Sequence, residues 1–266
     1  MLATTVSVGE HPTVKVFGLT INVDTVIATI LAMLVVFALG FAVRRQITRG
    51  VPGRLQLAWE TILTAVTNQV EGTIGPRGVA VIPLAVTLFV FILVCNFFEI
   101  FGLGGKYELL AVPTADVNLP AAMAIFVIVL VHIASVRTRG FGGYVKHYLT
   151  HPFPVFLAPF NIFINLVEEI AKPITLALRL FGNLFSGGLM IVLIAALGAW
   201  KLSSIPIGNI LTVIMAVIWK LFDVFFIGPI QAFIFALLTI LYFDTAMSTD
   251  HDEELVRPEP EPVPNV

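Results

Sequence analysis

Six polar residues, Glu168, Lys172, Thr175, Arg179, Asn183 and Ser186, follow one another at intervals of 4, 3, 4, 4 and 3. That spacing stacks side chains on one face of an α-helix. The rest of the segment, "EEIAKPITLALRLFGNLFSGG" (168–188), is mostly Leu, Ile, Ala and Phe. Ionisable groups inside an apolar segment are costly, and they mark ion paths, substrate sites or proton relays. Glu168 and Lys172 can pair locally, and such a pair is compatible with a place on a path. Glu169 falls about 100° off the stripe. Arg179 is different: it stands about 10 Å along the helix from Lys172, with no acidic residue within two turns on either side. Its partner must come from another element or another chain. Gly182, Ser186, Gly187 and Gly188 cluster beside it. Small residues let backbones approach closely in membranes, which suits either packing within the chain or a smooth surface for a passing partner.

A second polar set, Lys220, Asp223, Gln231, Thr239 and Tyr242, lies in the last apolar region. Lys220 and Asp223 can also pair locally. Gln231 has no charged neighbour and can face the Arg179 stripe. Gly228-Pro229 stands between Asp223 and Gln231, and a proline inside a helix removes a hydrogen bond and kinks or bulges it. Other chemistry is missing from the sequence. There is no phosphate-binding loop, no G-x-S-x-G elbow and no His or Cys pair at metal spacing. The five histidines are scattered, and neither a cofactor nor a metal is expected. The single cysteine, Cys95, cannot form an intrachain disulfide and reads as a small core residue.

The elements that must carry these residues are membrane helices. Of the 266 residues 58% are hydrophobic and only 12% charged, against about 25% charged in soluble domains. The mean hydropathy is +0.98. The pattern predicts an all-α polytopic membrane protein, with an external N-terminal segment at 1–23 and a single membrane domain at 24–247. Spans are expected at 24–43, 79–101 and 119–136, each long enough to cross a bilayer. Residues 54–71, "RLQLAWETILTAVTNQVE", place apolar Leu55, Trp59, Ile62, Leu63, Val66 and Val70 at helical spacing among polar neighbours. They read as an amphipathic helix on the membrane surface or against a partner. Two longer apolar regions, 160–200 and 207–247, would each reach about 60 Å as helices. They are expected to form a strongly tilted hairpin, giving five crossings in all. The acidic, proline-rich tail, 248–266, reads as disordered. No secretory signal is expected, since residues 1–23 lack a basic start and a small-residue cleavage site.

Lys and Arg in short loops set orientation. Arg44, Arg45, Arg49 and Arg54 crowd one loop and Arg137, Arg139 and Lys146 another, while the opposite loops carry Lys106 and Lys201. The basic loops are expected in the cytoplasm, with the N-terminus external and the C-terminus cytoplasmic.

The segments "EEIAKPITLALRLFGNLFSGG" and "IQAFIFALLTILYF" (230–243), with "PTADVN" (113–118) and "NFFE" (96–99), resemble the signature segments of subunit a of the F-type ATP synthase, the proton-channel stator family. The likeness runs from about residue 15 to 245. It implies a non-catalytic subunit in a bacterial cell membrane, beside a ring of c subunits and the peripheral-stalk b subunits, with no nucleic-acid partner. It implies two offset proton half-channels meeting at mid-membrane. The family's essential arginine falls on Arg179, its asparagine on Asn183 and its last-helix glutamine on Gln231. Where the family often carries an ionisable residue this chain has Gly188, so the inlet role falls to Asp223 alone. With the expected orientation, Glu168 and Glu169 belong to the cytoplasmic half-channel, and Asn183, Asp223 and Gln231 to the external one. Glu99, Asp116 and Asn118 are expected to line the external mouth. Gly182, Ser186, Gly187 and Gly188 would allow close approach of the c-ring. A different class of reading, a secondary transporter holding an anionic substrate at Arg179, predicts internal repeats, and the sequence shows none.

Overall fold

The computed structural model describes residues 13–16, 19–48, 50–100, 112–150, 156, 158–201 and 206–248. The acidic tail beyond 248, the loop carrying Lys106 and the proline-rich stretch at 151–155 lie outside the described residues. Helix α1 spans Val23–Gln46, α2 Arg54–Thr73, α3 Ile82–Phe97, α4 Asn118–Thr150, α5 Ala158–Lys201, α6 Pro206–Phe222 and α7 Gly228–Met247. One non-helical element precedes them. Strands Thr13–Val16 and Leu19–Asn22 pair antiparallel, with Thr13 opposite Asn22 and Val16 opposite Leu19. Their β-branched content, "TVKV" and "LTIN", favours the extended form over a helical start.

Among the described residues, five helical stretches are long and apolar enough to cross a membrane: Val23–Gln46, Gly75–Ile100, Asn118–Lys146, Pro159–Ala196 and Ile210–Met247. The chain is thus a multi-pass, all-α membrane protein. Its first helix touches the bundle through small residues. Ala28 and Ala32, one turn apart, are fully buried, while Leu34 and Phe37 on the same helix are exposed, Phe37 by 75%. Without a hydrophobic drive between helices in lipid, close backbone approach is what holds such a helix. Helix α2 turns its Val66 and Val70 inward, against Ala32, Ala85, Val86 and Val90. A turn at Gly75, with φ +73°, then leads into α3. This central helix packs between α1 and α2 on one side and α7 on the other.

A second core joins α3, α4, α5 and α7 through Ile92, Val127, Leu176, Leu180, Ala232 and Phe235. At one end of the bundle Arg139 ties α4 to the end of α7: its Nε and Nη2 donate to the Ser248 carbonyl at 3.0 and 2.7 Å, and Nη2 also to the Thr245 carbonyl at 2.9 Å. A cation at a helix C-terminus meets both the orphan carbonyls and the helix dipole. Just after it Gly140, at φ +71°, breaks α4, a conformation that glycine adopts without strain. The short helical piece beyond folds back on α5, where Asn161 and Asn165 donate to the carbonyls of Leu149 and Tyr148.

Helix α5 is 44 residues long, about 66 Å, and roughly twice the thickness of a bilayer's hydrocarbon. A helix of this length lies in a membrane only when steeply inclined or projecting from it. Its return partner α6 runs into a single wide π-helical turn, Asp223–Ile227, before α7 begins. The wide turn sits where Pro229 would otherwise force its ring against the Phe225 carbonyl four residues back.

Asp116, expected at a channel mouth, joins elements of the fold. Its carboxylate accepts from Asn22 Nδ2 at 2.6 Å, Thr25 Oγ1 at 2.9 Å, and the backbone N and side chain of Asn118 at 3.1 and 2.8 Å. It caps α4 and pins the start of α1 to it. Asp116→Ala leaves buried donors without an acceptor, and hydrogen bonds to a charged group contribute about 1.5–3 kcal/mol. We expect a fall of several degrees in the melting temperature of the detergent-solubilised protein; slowed proton flux with unchanged melting would assign Asp116 to the mouth.

Candidate functional site

Helix α5 presents two unlike faces around Arg179. Leu176, Ala177 and Leu180 are buried in the core. Thr175, Leu178, Arg179 and Ser186 are exposed. Among the described residues Arg179 has neither a hydrogen bond nor an ion pair. The chain therefore holds a permanent cation on its outer, apolar surface, and the described residues supply no counter-charge for it. Gly182 and Gly188 have open space where a Cβ would stand, so this face is smooth as well as charged.

Two polar clusters flank that cation. The first lies ten residues before it, about 15 Å along the helix. Lys172 Nζ bonds Glu168 Oε1 at 3.1 Å and Glu169 Oε1 at 2.9 Å. The other oxygen of Glu169, Oε2, meets His132 Nε2 of α4 at 3.3 Å. Tyr144 and Tyr148, from the piece of α4 beyond Gly140, stack next to His132, with ring centroids 6.1 Å from His132 to Tyr144 and 4.9 Å from Tyr144 to Tyr148. Burial, then a hydrogen bond with Tyr144 and the charge of Glu169, push the Tyr148 phenol well above its ordinary range. Tyr148 therefore stays a donor. The local pairing of Glu168 with Lys172 is present, and Glu169, off the stripe by sequence, joins it.

The second cluster lies eight residues beyond Arg179, about 12 Å along α5 in the other direction. Here Asp223 is only 2% exposed, and its carboxyl is packed against Gly187. A Cβ on Gly187 would overlap Asp223 Oδ2 and stand 3.1 Å from its Cγ. Trp219 Nε1 donates to the Gly187 carbonyl at 3.2 Å, holding the two helices together. Two contacts here decide between readings that spacing left open. Gly187 faces inward and serves an approach within the chain, because the side chain it lacks leaves room for Asp223. Lys220 does not pair with Asp223 three residues on. Its Nζ bonds Glu99 Oε1 at 3.0 Å, and Glu99 in turn is within hydrogen-bonding reach of the Asp223 carboxyl. The local geometry explains this: Lys220 reaches Glu99 in the turn just after α3, while Asp223 points to α5.

Two buried polar atoms here have no hydrogen-bond partner, Asp223 Oδ2 and Gln231 Nε2. Leaving such atoms bare costs about 1–3 kcal/mol each, so they mark a place suited to water or a mobile proton. Asn96, expected only as part of a motif, helps to shape this cluster: its Nδ2 donates to the Gly228 carbonyl at 3.1 Å, next to the wide turn. Asn183 is half-buried, and the structure shows no bond from it or from Gln231 to Arg179. Glu99 belongs to the Asp223 cluster, whereas Asn118 is exposed at the start of α4 beside Asp116. His132, Tyr144, Tyr148 and Trp219 are site residues that sequence reasoning missed. An ionisable His132 inside an apolar span was the available signal.

A family model described as ATP synthase A chain matches residues 26–244. The chain is 45% identical over 260 residues to ATP synthase subunit a of Mycobacterium marinum, covering 95% of this chain and 98% of that one. It is 44% identical over 250 residues to ATP synthase subunit a of Acidothermus cellulolyticus, covering 94% and 86%. A more distant likeness, to ATP synthase subunit a 1 of Photobacterium profundum, is 36% over 248 residues, covering 87% and 89%.

The glycines of α5 differ sharply in what they tolerate. Gly187→Ala must displace Asp223 and is expected to lower stability by about 1–3 kcal/mol. Gly182→Ala and Gly188→Ala, both facing open space, should be neutral or slightly stabilising. Thermal unfolding of the three variants in detergent decides this; equal effects would mean that the Gly187–Asp223 contact is not tight.

Proposed function

The chain belongs to the ATP synthase A chain family, and from that premise we propose that it is the stator that couples proton flow to rotation of a c-subunit ring in an ATP synthase. The observation that carries this reading is Arg179: a permanent cation on an exposed apolar face, unpaired within the described chain, with a polar cluster on either side. The two clusters serve as two half-channels. Glu168 and Glu169 belong to the cytoplasmic one, and Asp223, Gln231, Asn183 and Glu99 to the external one. Neither cluster reaches the other, because the α5 residues between them on the inner face, Leu176 and Leu180, are packed in the core.

The mechanism follows from solvation. A carboxyl group carried by each c subunit can face lipid only when neutral, and when ionised it needs a charged or polar neighbour. Arg179 is that neighbour, and it does not lose its own proton. A ring carboxyl approaching it is driven to ionise and gives up its proton to one half-channel. After passing Arg179, it takes a proton from the other. A cation at mid-membrane costs about 2.5–3.5 kcal/mol on insertion scales, part of which a passing carboxylate offsets. The fixed charge also keeps protons from crossing directly between the half-channels. The open surface at Gly182 and Gly188 gives the ring room to pass. A transporter's anion site would enclose its arginine, whereas Arg179 lies on an outer face.

The partners are the rest of the ATP synthase, with the c-ring against the Arg179 face and the peripheral stalk holding the chain still. The chain itself performs no catalysis. We place it in a bacterial cell membrane, with Arg44, Arg45, Arg137 and Arg139 at the cytoplasmic side by the positive-inside rule.

Arg179→Ala is expected to abolish ATP synthesis and ATP-driven proton pumping while the complex still assembles, and to leave a passive proton leak, because ring carboxyls can then pass the barrier while still protonated. Arg179→Lys keeps a charge but loses the guanidinium fork, and should also fail, with less leak. Coupled synthesis by the alanine variant at near-normal rate would refute the reading.

Orientation is tested separately. In a Cys95→Ser background, Val51→Cys, which is 94% exposed, should react with an impermeant thiol reagent only from the cytoplasm, and Val117→Cys only from outside. The reverse pattern would exchange the two half-channels.

A further inference from the structure

We propose that His132 and Glu169 together store one proton on the cytoplasmic half-channel and release it to water, making His132 a relay group of the proton path. The inference rests on the assignment of Glu168 and Glu169 to that half-channel. It starts from a constraint on where protons sit. His132 Nδ1 lies 2.9 Å from the Ile128 carbonyl oxygen. A carbonyl only accepts, so Nδ1 carries a hydrogen and donates it. In a neutral imidazole with Nδ1–H, the other nitrogen, Nε2, is a bare lone pair. Yet Nε2 faces Glu169 Oε2 at 3.3 Å, and an ionised carboxylate is also acceptor-only. Two acceptors held at that distance need a proton between them.

The pair thus has two states that differ by one proton. Loaded, it is an imidazolium beside a carboxylate, or equivalently a neutral ring beside a carboxylic acid. Unloaded, it is a neutral Nδ1–H imidazole facing a carboxylate. Loading takes one proton from the direction of Arg179, and unloading gives one to water. No other bond changes, and the Nδ1 hydrogen stays on Ile128. The surroundings keep both states accessible. Lys172 holds the other oxygen of Glu169 at 2.9 Å, and so fixes the carboxylate and steadies its charge when the pair is empty. The side chains of His132 and Glu169 are 35% and 21% exposed, so the pair is not sealed inside the chain.

The groups facing the pair are few. Helix α5 contributes Glu168 and Lys172, which satisfy each other at 3.1 Å. The piece of α4 after Gly140 contributes Tyr144, ring to ring with His132, and Tyr148, hydrogen-bonded to Glu169. Helix α7, the other helix packed on α4, carries Tyr242 and Asp244 near this end, and the structure shows no bond from either to His132. Arg139, seven residues on from His132, is committed to the end of α7.

The test uses the whole ATP synthase in sealed vesicles, with His132→Gln and, as a second variant, His132→Asn. Both can hydrogen-bond and neither can take a second proton. A positioned proton-transfer group is worth about 10²-fold or more, and Glu168 with water leaves a poorer parallel route, so we expect acid-to-alkaline-driven ATP synthesis to fall by about tenfold. With the pH difference across the membrane held constant, wild-type synthesis should depend on the pH of the cytoplasmic side, because the pair must empty to that side, and in both variants this dependence should flatten. Normal rates with an unchanged pH profile would overturn the relay, and if Arg179→Ala abolishes coupling in the same preparation, the reading of the chain as stator stands without it. Coupled synthesis by Arg179→Ala would instead remove the half-channel assignment on which the relay rests. Should both His132 variants fail to assemble, nitrogen-15 NMR of the histidine-labelled wild-type complex decides. The His132 resonances, assigned through their proximity to Tyr144, should show a hydrogen on Nδ1 and the exchangeable proton on the Nε2 side; a neutral Nε2–H form would overturn the proposal.

Discussion

The structure is organised around a charge that the chain does not neutralise. Arg179 sits on the outer face of α5 with core leucines behind it and no counter-ion among the described residues. A cation in an apolar medium must be met by something, and three of the nearby carboxylates are engaged elsewhere. Glu168 and Glu169 are taken by Lys172, and Glu99 by Lys220. Those internal pairings keep the arginine available. Were either carboxylate long-reaching and free within the same stretch of helix, the guanidinium would fold onto it, and the face would carry a satisfied salt bridge in place of an unmet charge. The neutralisation of the flanking clusters and the isolation of Arg179 are thus two sides of one arrangement.

Much of this was legible from spacing. The polar stripe of α5 reads directly from intervals of three and four residues, because helical periodicity is a local property. The inward face of α2, with Val66 and Val70, reads the same way. Membrane spans read from length and apolarity alone. What spacing could not give is which element a side chain meets. Lys220 has an acidic residue three positions away, yet it crosses to Glu99 just after α3, since the rotation of α6 about its axis is set by its packing against α5. Asp116 read as a channel group because it is acidic and near a loop; spacing could not show that four donors, from Asn22, Thr25 and Asn118, converge on it. Gly187 looked like its glycine neighbours, and only the position of Asp223 separates it from them. His132 lay unremarked because its partner is on another helix. The hairpin at Thr13–Asn22 was masked by the prevailing helical character of the chain.

The bundle is held with modest means. Small residues on α1, an arginine latch at the end of α7 and an indole hydrogen bond between α5 and α6 substitute for the large buried cores of water-soluble proteins. Many large side chains of α5 and α6, such as Ile174, Leu178, Ile214 and Ile218, stay exposed. Lipid or a neighbouring subunit solvates them, so these helices owe their position to a few specific contacts at their inner faces.

The wide turn at Asp223–Ile227 has a geometric consequence of its own. One residue added to a helical turn advances the screw by about 100°, so everything on α7 is rephased relative to α6 while the rod continues along almost the same line. A continuous helix would tie the compass bearings of Asp223 and Gln231 together, eight positions apart and about 80° out of step. With the extra residue taken up in the turn, the offset falls from about 80° to about 20°. Asp223, at the notch of Gly187, and Gln231 thus come to nearly the same side of the rod, where both are buried. The turn works as a vernier, changing angle without changing path.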